Sequence, residues 1–149
     1  MAFSTIERVF LLQGAELFRH VPMQELVVIA QLCHEVHFNR GDMFIKTGEV
    51  GDCLYIIAAG DVAVTAAGAG QVGMHKQGDV IGEMAIISQN PRSANCTALT
   101  DVTALKITYG DFWDLMEENS KVSLSIFKVI VTRLNETIQK LKVQSDPAV

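Results

Sequence analysis

The stretch Ile81–Ala94 reads IGEMAIISQNPRSA. It places two charged residues, Glu83 and Arg92, in an otherwise largely apolar segment, and a buried charge needs a partner. Residues 83–88 have the length of one short helix, and Gly82 before them lets the backbone approach a bound molecule closely. Pro91 restricts the backbone on both sides of itself. The head groups of Glu83 and Arg92 can therefore face one cavity.

These residue types suit a phosphate joined to a sugar. Arg92 offers a planar fork of donors that matches two phosphate oxygens, and the first N–H groups of the predicted helix favour the same negative charge. An ionised Glu83 only accepts hydrogen bonds, so it suits a sugar hydroxyl. Ser93 adds a small hydroxyl beside Arg92, and Ala94 keeps the wall thin. The alternative is a Glu83–Arg92 salt bridge without any ligand.

Around this stretch, residues 35–109 have the pattern of many short strands. Short apolar or alternating runs such as Leu54–Ala58 and Val62–Thr65 are separated by turns. The dipeptide Gly-Asp, a frequent turn former, recurs five times, at positions 41, 51, 60, 78 and 110. We predict an α+β fold, an antiparallel β-roll (jelly-roll-like) flanked by N-terminal helices and a C-terminal helix pair.

Helical patterns occupy both ends of the chain. Helices are predicted within 4–34, where Ser4 and Glu7 form a capping box, and within 111–143, which we name the closing helices. An apolar stripe runs from Val122 to Leu141 at helical spacing. Most of it is expected to pack against the roll, and its far end to pair with a second subunit as a homodimer. One domain is thus predicted over 1–143, with a flexible tail at 144–149.

Composition narrows the class of protein. The chain has 149 residues and a net charge of -5 without any basic run, which argues against nucleic acid as a partner. Its three cysteines are far apart and are expected to be buried free thiols. Neither a signal peptide nor a stretch long enough to span a membrane is present in the sequence. We therefore expect a cytoplasmic protein that does not associate with a membrane.

The stretch Ile81–Ala94 resembles the phosphate-binding cassette of the cyclic-nucleotide-binding domain family. That cassette has roughly the pattern Phe-Gly-Glu-Leu-Ala, a short helix, then Pro-Arg-Ala-Ala. The resemblance extends over nearly the whole chain, because the segment 48–52 and the closing helix are also similar to family landmarks. Within the family the chain is similar to catabolite-activator-like sensor domains, but the DNA-binding part of those regulators does not follow it.

The resemblance implies a role for each matching residue. Arg92 would bind the exocyclic oxygens of the cyclic phosphate and Glu83 the ribose 2′-hydroxyl, with Ser93 helping to hold the phosphate. Further contacts are implied, from the backbone or the cavity wall, for Gly82, Met84, Ala85 and Ala94. The base would lie against Val72 and Gly73, and the closing helix would contribute Arg133 and Thr137.

The expected ligand is cAMP, with cGMP as a weaker competitor, and no cofactor is expected. Thr137 favours cAMP, whereas Ser93 matches neither the Ala common in cAMP sites nor the Thr frequent in cGMP sites. The predicted function is a non-catalytic sensor in signal transduction that acts on an effector protein or by self-association. The alternative is a ligand-free scaffold with the same fold, whose pocket is idle or filled by Glu83–Arg92 pairing. We do not predict a metal site formed by His34, His37, His75 and Glu83, because the dense His-x-His spacing of metal-binding, cupin-like rolls is missing.

Overall fold

Three helical segments precede the first strand in the structure, a computed structural model that describes residues 2–145. They are helix α1 (Thr5–Gln13), a 3-10 helix (Glu16–Phe18) and helix α2 (Met23–Leu32). The predicted capping box is confirmed, because the Glu7 amide donates to Ser4 Oγ at 3.2 Å and the Ser4 amide donates to Glu7 Oε1 at 3.1 Å. This reciprocal pair satisfies two amides that the start of a helix leaves without partners.

Eight antiparallel strands form the middle of the chain. They are β1 (His34–Phe38), β2 (Met43–Ile45), β3 (Cys53–Ala59), β4 (Val62–Ala66), β5 (Gly70–His75), β6 (Val80–Ile81), β7 (Asn95–Ala98) and β8 (Val102–Thr108). One sheet has the order β1-β8-β3-β6 and the other β2-β7-β4-β5. The predicted antiparallel roll is confirmed, and its first strand begins one residue earlier than expected.

Strand β3 is apolar on both faces because it lies between two layers. Leu54 and Ile56 belong to a core shared with the helices, whereas Tyr55 and Ile57 belong to a core between the sheets. Since successive side chains of a strand point to opposite faces, one run of residues serves both cores. Each fully buried side chain of this size stabilises the fold by about 1.5–3 kcal/mol.

A short helix, α3 (Glu83–Ser88), connects β6 to β7, and two helices follow the roll, α4 (Tyr109–Glu118) and α5 (Ser120–Ser145). The start of α5 packs on the core through Val122, Ile126 and Val129, which are buried. The packing of the predicted apolar stripe ends near Ile130, and its later members are exposed. The helix continues two residues into the predicted tail, while 146–149 lie outside the described residues. No helix within residues 2–145 is long and apolar enough to cross a membrane.

Candidate ligand-binding site

A short helix connects β6 to β7 and carries the first part of the site. Helix α3 spans Glu83–Ser88, and these bounds agree with those predicted from the sequence. Gly82 precedes it with φ of +90°, and Gln89 ends it with φ of +58°. A Cβ atom at Gly82 would overlap Nη1 of Arg92 and lie 3.2 Å from the Cys53 carbonyl oxygen. Glycine is thus required at this position for its backbone conformation and for the space it leaves to Arg92.

The end of α3 is held by helix α4. The Trp113 indole Nε1 donates to the carbonyl oxygen of Ile86 at 3.3 Å, and the Gln89 side-chain amide donates to Tyr109 Oη at 2.7 Å. These bonds satisfy polar groups at the C-terminal end of a helix that has fewer than two turns. They tie the cassette to the helices that follow the roll.

Arg92 is buried, with 7% of its surface exposed. Its Nη2 donates to the Cys53 carbonyl at 2.6 Å and its Nη1 to the Gly82 carbonyl at 3.3 Å. Backbone bonds between residue 92 and the loop 48–49 hold the main chain beside it. Its hydrogen-bond acceptors are neutral, and within residues 2–145 no carboxylate forms a salt bridge with it. The guanidinium is therefore oriented while its positive charge is left without an anion.

The main cavity of about 430 Å³ lies against α3 and Arg92. Its volume falls in the range of small-molecule sites. It brings together seven of the residues predicted from the sequence: Gly82, Glu83, Met84, Ala85, Arg92, Ser93 and Ala94. Its apolar lining also includes Ile45, Val64, Val80 and Ile81, together with the buried thiol of Cys96, and burial raises the pKa of this thiol to about 11.

Glu83 pairs with the closing helix α5. Its Oε1 accepts a hydrogen bond from Nη1 of Arg133 at 2.8 Å, and Nε of Arg133 donates to Glu16 Oε1 at 3.3 Å. Partial burial opposes the charge of Arg133, but the two carboxylates outweigh that effect and raise its pKa. The Glu83–Arg92 bridge, which is one form of the scaffold alternative, is not among the salt bridges of residues 2–145.

Of the four residues expected to contact the base or to close over it, only Arg133 lines a cavity. Arg133 lines a second cavity of about 370 Å³, which shares His75, Val80 and Glu83 with the main one. Val72 is 56% exposed, and neither Val72 nor Gly73 lines either cavity. Thr137 is exposed and its hydroxyl donates to the Arg133 carbonyl oxygen. The base contacts of these four residues stay predictions.

In the described part of the chain, His75 is one of three polar lining residues of the main cavity that the ligand-site prediction missed, the others being Ser88 and Asn90. It lies on β5 directly opposite Val62, a fully buried residue of β4, so its side chain is on the inner face of the roll. The alternation of β5 predicts this face only if the register of the β4–β5 hairpin is known. The other two histidines of the metal site that was not predicted lie apart from it, since His34 and His37 are on the other sheet. No cluster of three metal-binding side chains occurs within residues 2–145.

The fold and the site define a class of small-ligand-binding domain. It is a roll of two four-stranded sheets in which a buried arginine, suited to bind an anion, lies beside a short helix. The family model described as "Cyclic nucleotide-binding domain" matches residues 35–119. The chain belongs to this family, as its resemblance predicted.

Similar proteins share the domain in different contexts. The chain is 27% identical to "cGMP-dependent 3',5'-cGMP phosphodiesterase A" of Dictyostelium discoideum, over 91% of this chain and 17% of that protein. It is 27% identical to the "CRP-like cAMP-activated global transcriptional regulator" of Mycobacterium tuberculosis, over 88% and 60%. The solved N-terminal domain of a transcriptional regulator from Streptomyces coelicolor is 26% identical, with a TM-score of 0.77 over 85% of this chain and 94% of that one. The chain thus spans less than two thirds of both full-length relatives.

Proposed function

We propose that this chain is a non-catalytic cyclic nucleotide sensor with a regulatory role in signal transduction, and that it prefers cAMP to cGMP. The observation that carries the proposal is Arg92. Its guanidinium is buried at the edge of a cavity, is oriented by two backbone carbonyls, and has no carboxylate partner within residues 2–145. A cyclic phosphate carries one negative charge and two free oxygens, which match this fork of donors.

The other lining residues fit the rest of such a ligand. Glu83, whose side chain is 13% exposed, would accept the ribose 2′-hydroxyl, and Ser93 would donate to the phosphate. The first backbone amides of α3 would also donate to the ligand, because the amides at the start of a helix have no intrahelical partners. Because Glu83 already accepts a bond from Arg133, the ribose would share this carboxylate with the closing helix or displace Arg133 from it.

The preference for cAMP is a separate part of the proposal. One relative is named as cAMP-activated and another as cGMP-dependent, so the names favour neither base. The proposal for cAMP rests on the resemblance of Arg133 and Thr137 to an Arg and a Thr that contact cAMP in the catabolite-activator group. The output of the sensor would be a movement of α5, which an effector protein or a second subunit would recognise.

Titration of the purified chain with cyclic nucleotides tests this function. At a cAMP concentration one hundred times its Kd, binding should stabilise the fold by about 2.7 kcal/mol, which raises the melting temperature of a domain of this size by about 5–10 °C. We expect a smaller rise with cGMP at the same concentration. Calorimetry would give both affinities, and 5′-AMP, which has the same base and sugar but no cyclic phosphate, is the control that should give little change. An absence of response to either cyclic nucleotide at about 1 mM would favour the scaffold alternative.

The exposed face of α5 supports a further element of the proposal, a homodimer. Apolar residues on this face are spaced alternately by three and four positions: Leu124, Phe127, Val131, Leu134, Ile138 and Leu141. All six are exposed, while the buried residues of α5 lie on its other face. Three heptads with apolar first and fourth positions form the seam of a coiled coil. A second copy of α5 would cover this face.

Replacing Leu134 with Glu should disrupt this dimer. In a symmetric pair the change removes two buried leucines, a loss of about 3–6 kcal/mol, and places two like charges together. The dimer dissociation constant should therefore rise at least about a hundredfold, as sedimentation equilibrium would measure. The matched control is Asn135→Glu, an exposed position one residue further along α5, which should leave association unchanged. A wild-type chain that remains monomeric at high concentration would contradict the dimer.

A further inference from the structure

His75 is an ionisable side chain of the site to which no role has been given. It lines both cavities, together with Val80 and Glu83, and so lies at the junction of the two. Its strand partner Val62 is fully buried, which directs the imidazole toward the interior of the roll. A ligand with its phosphate on Arg92 and its ribose on Glu83 would have its base at this junction.

The orientation of the imidazole is set by Asp79. Nδ1 of His75 lies 3.3 Å from Oδ2 of Asp79, and the Lys76 amide donates to the same carboxylate oxygen at 3.0 Å. An ionised carboxylate only accepts hydrogen bonds, so Nδ1 must carry the proton. In the neutral imidazole the other nitrogen, Nε2, is then an acceptor. Within residues 2–145, no hydrogen bond uses Nε2 of His75.

The second cavity is also rich in hydrogen-bond acceptors. Besides His75 it is lined by three carboxylates, those of Glu16, Asp79 and Glu83, and by one cationic side chain, Arg133. Arg133 already directs two of its nitrogens to Glu16 and Glu83. Acceptors therefore outnumber the remaining donors at this end of the site. Such a lining favours a ligand edge that donates hydrogen bonds and disfavours one that only accepts them.

We propose that His75, oriented by Asp79, selects the base by accepting a hydrogen bond from the amino group at carbon 6 of adenine. This inference rests on the proposed function. Guanine has a carbonyl oxygen at carbon 6, which would face the lone pair of Nε2 and leave two acceptors unpaired. An unpaired buried polar group is costly, and sites built around one hydrogen bond discriminate strongly on this basis. His75 is thus a specificity-determining residue that supplies a preference for cAMP independently of Thr137.

The test compares cAMP with inosine 3′,5′-cyclic monophosphate, which differs from it by a carbonyl in place of the 6-amino group and by a proton on the neighbouring nitrogen. The full chain should bind cAMP about tenfold or more tightly than the inosine analogue, by calorimetry at pH 7.5. In His75→Leu, whose side chain has a similar volume, this ratio should fall by about fivefold or more, which leaves only the preference that Thr137 supplies. A ratio is used because a merely structural effect of the substitution would weaken both ligands equally.

The matched control is His37→Leu, a histidine that also lies beside a carboxylate but on β1, away from both cavities. It should leave both affinities unchanged. If His75→Leu does not fold by circular dichroism, His75→Val, suited to a strand, takes its place with the same expected ratio.

The outcomes separate this inference from the proposed function. An unchanged ratio in the folded His75 variant, or a wild type that binds both ligands equally, would overturn the role of His75 while the sensor function stands. A wild type that binds neither ligand would overturn the proposed function and this inference with it.

Discussion

An Arg92→Ala variant is expected to bind cAMP at least about a hundredfold more weakly than the wild type. Truncating one partner of a buried, hydrogen-bonded charge pair costs about 2–5 kcal/mol, and every 1.4 kcal/mol is tenfold in affinity. The effect should be near the upper end, because Arg92 provides the only guanidinium or ammonium among the residues that line the main cavity in the described part of the chain. Calorimetric titration with cAMP measures the loss directly.

Two further variants identify its cause. Arg92→Lys keeps the positive charge but lacks the planar fork, so it should recover only part of the affinity. Arg40→Ala removes an exposed arginine outside the site and should change nothing. The melting temperature of each ligand-free variant is needed as well, since the loss of Arg92 removes one hydrogen bond from the carbonyl of Cys53 and one from that of Gly82. Unaltered cAMP binding in a folded Arg92→Ala protein would refute the assignment of the phosphate site.

A Gly82→Ala substitution should be nearly as damaging to binding and should also weaken the fold. The residue has φ of +90°, where an L side chain costs about 1–2 kcal/mol. The added methyl group would also occupy the position of the Arg92 guanidinium. Arg92 must then move away from the carbonyls that orient it. We expect a loss of about 2 kcal/mol or more in the free energy of unfolding, by urea denaturation, and a loss of cAMP affinity of at least about tenfold.

The chain contains a control that separates strain from overlap. Gly41 has φ of +92°, almost the same as Gly82, but a Cβ atom there meets nothing within 4 Å. Gly41→Ala should therefore cost about 1–2 kcal/mol of stability through backbone strain alone and leave cAMP affinity intact. Equal losses of affinity in both variants would show that general destabilisation, rather than displacement of Arg92, reduces binding.

Local features were predictable because their causes lie within a few residues of one another. The capping box at Ser4 and Glu7 and the bounds of α3 follow from short-range backbone chemistry, and the structure reproduces both of them. The antiparallel roll was also predictable from alternating apolar runs and regular turns. In the structure, the roll and helix α3 bring seven of the predicted site residues around one cavity.

The partners of the charged groups were not predictable. The sequence suggested Glu83 and Arg92 as each other's alternative partners, but Glu83 binds Arg133, fifty positions away, and Arg92 binds the carbonyl oxygen of Cys53. Choosing among distant partners depends on how α5 crosses the roll and on how β3 lies beside α3. Neither arrangement leaves a periodic pattern in the sequence.

What the sequence determined by itself was the family, the roll and the cassette with Arg92 at its end, because strand alternation, turn residues and helix caps act locally. Only the tertiary structure decided which groups meet across the site. The register of β5 against β4 turns His75 inward and leaves Val72 exposed, and a shift of one residue would exchange those faces. The packing of α5 places Arg133 on Glu83 and leaves its heptad face uncovered. These choices depend on contacts between residues far apart in the chain, whose geometry exists only once the layers have packed.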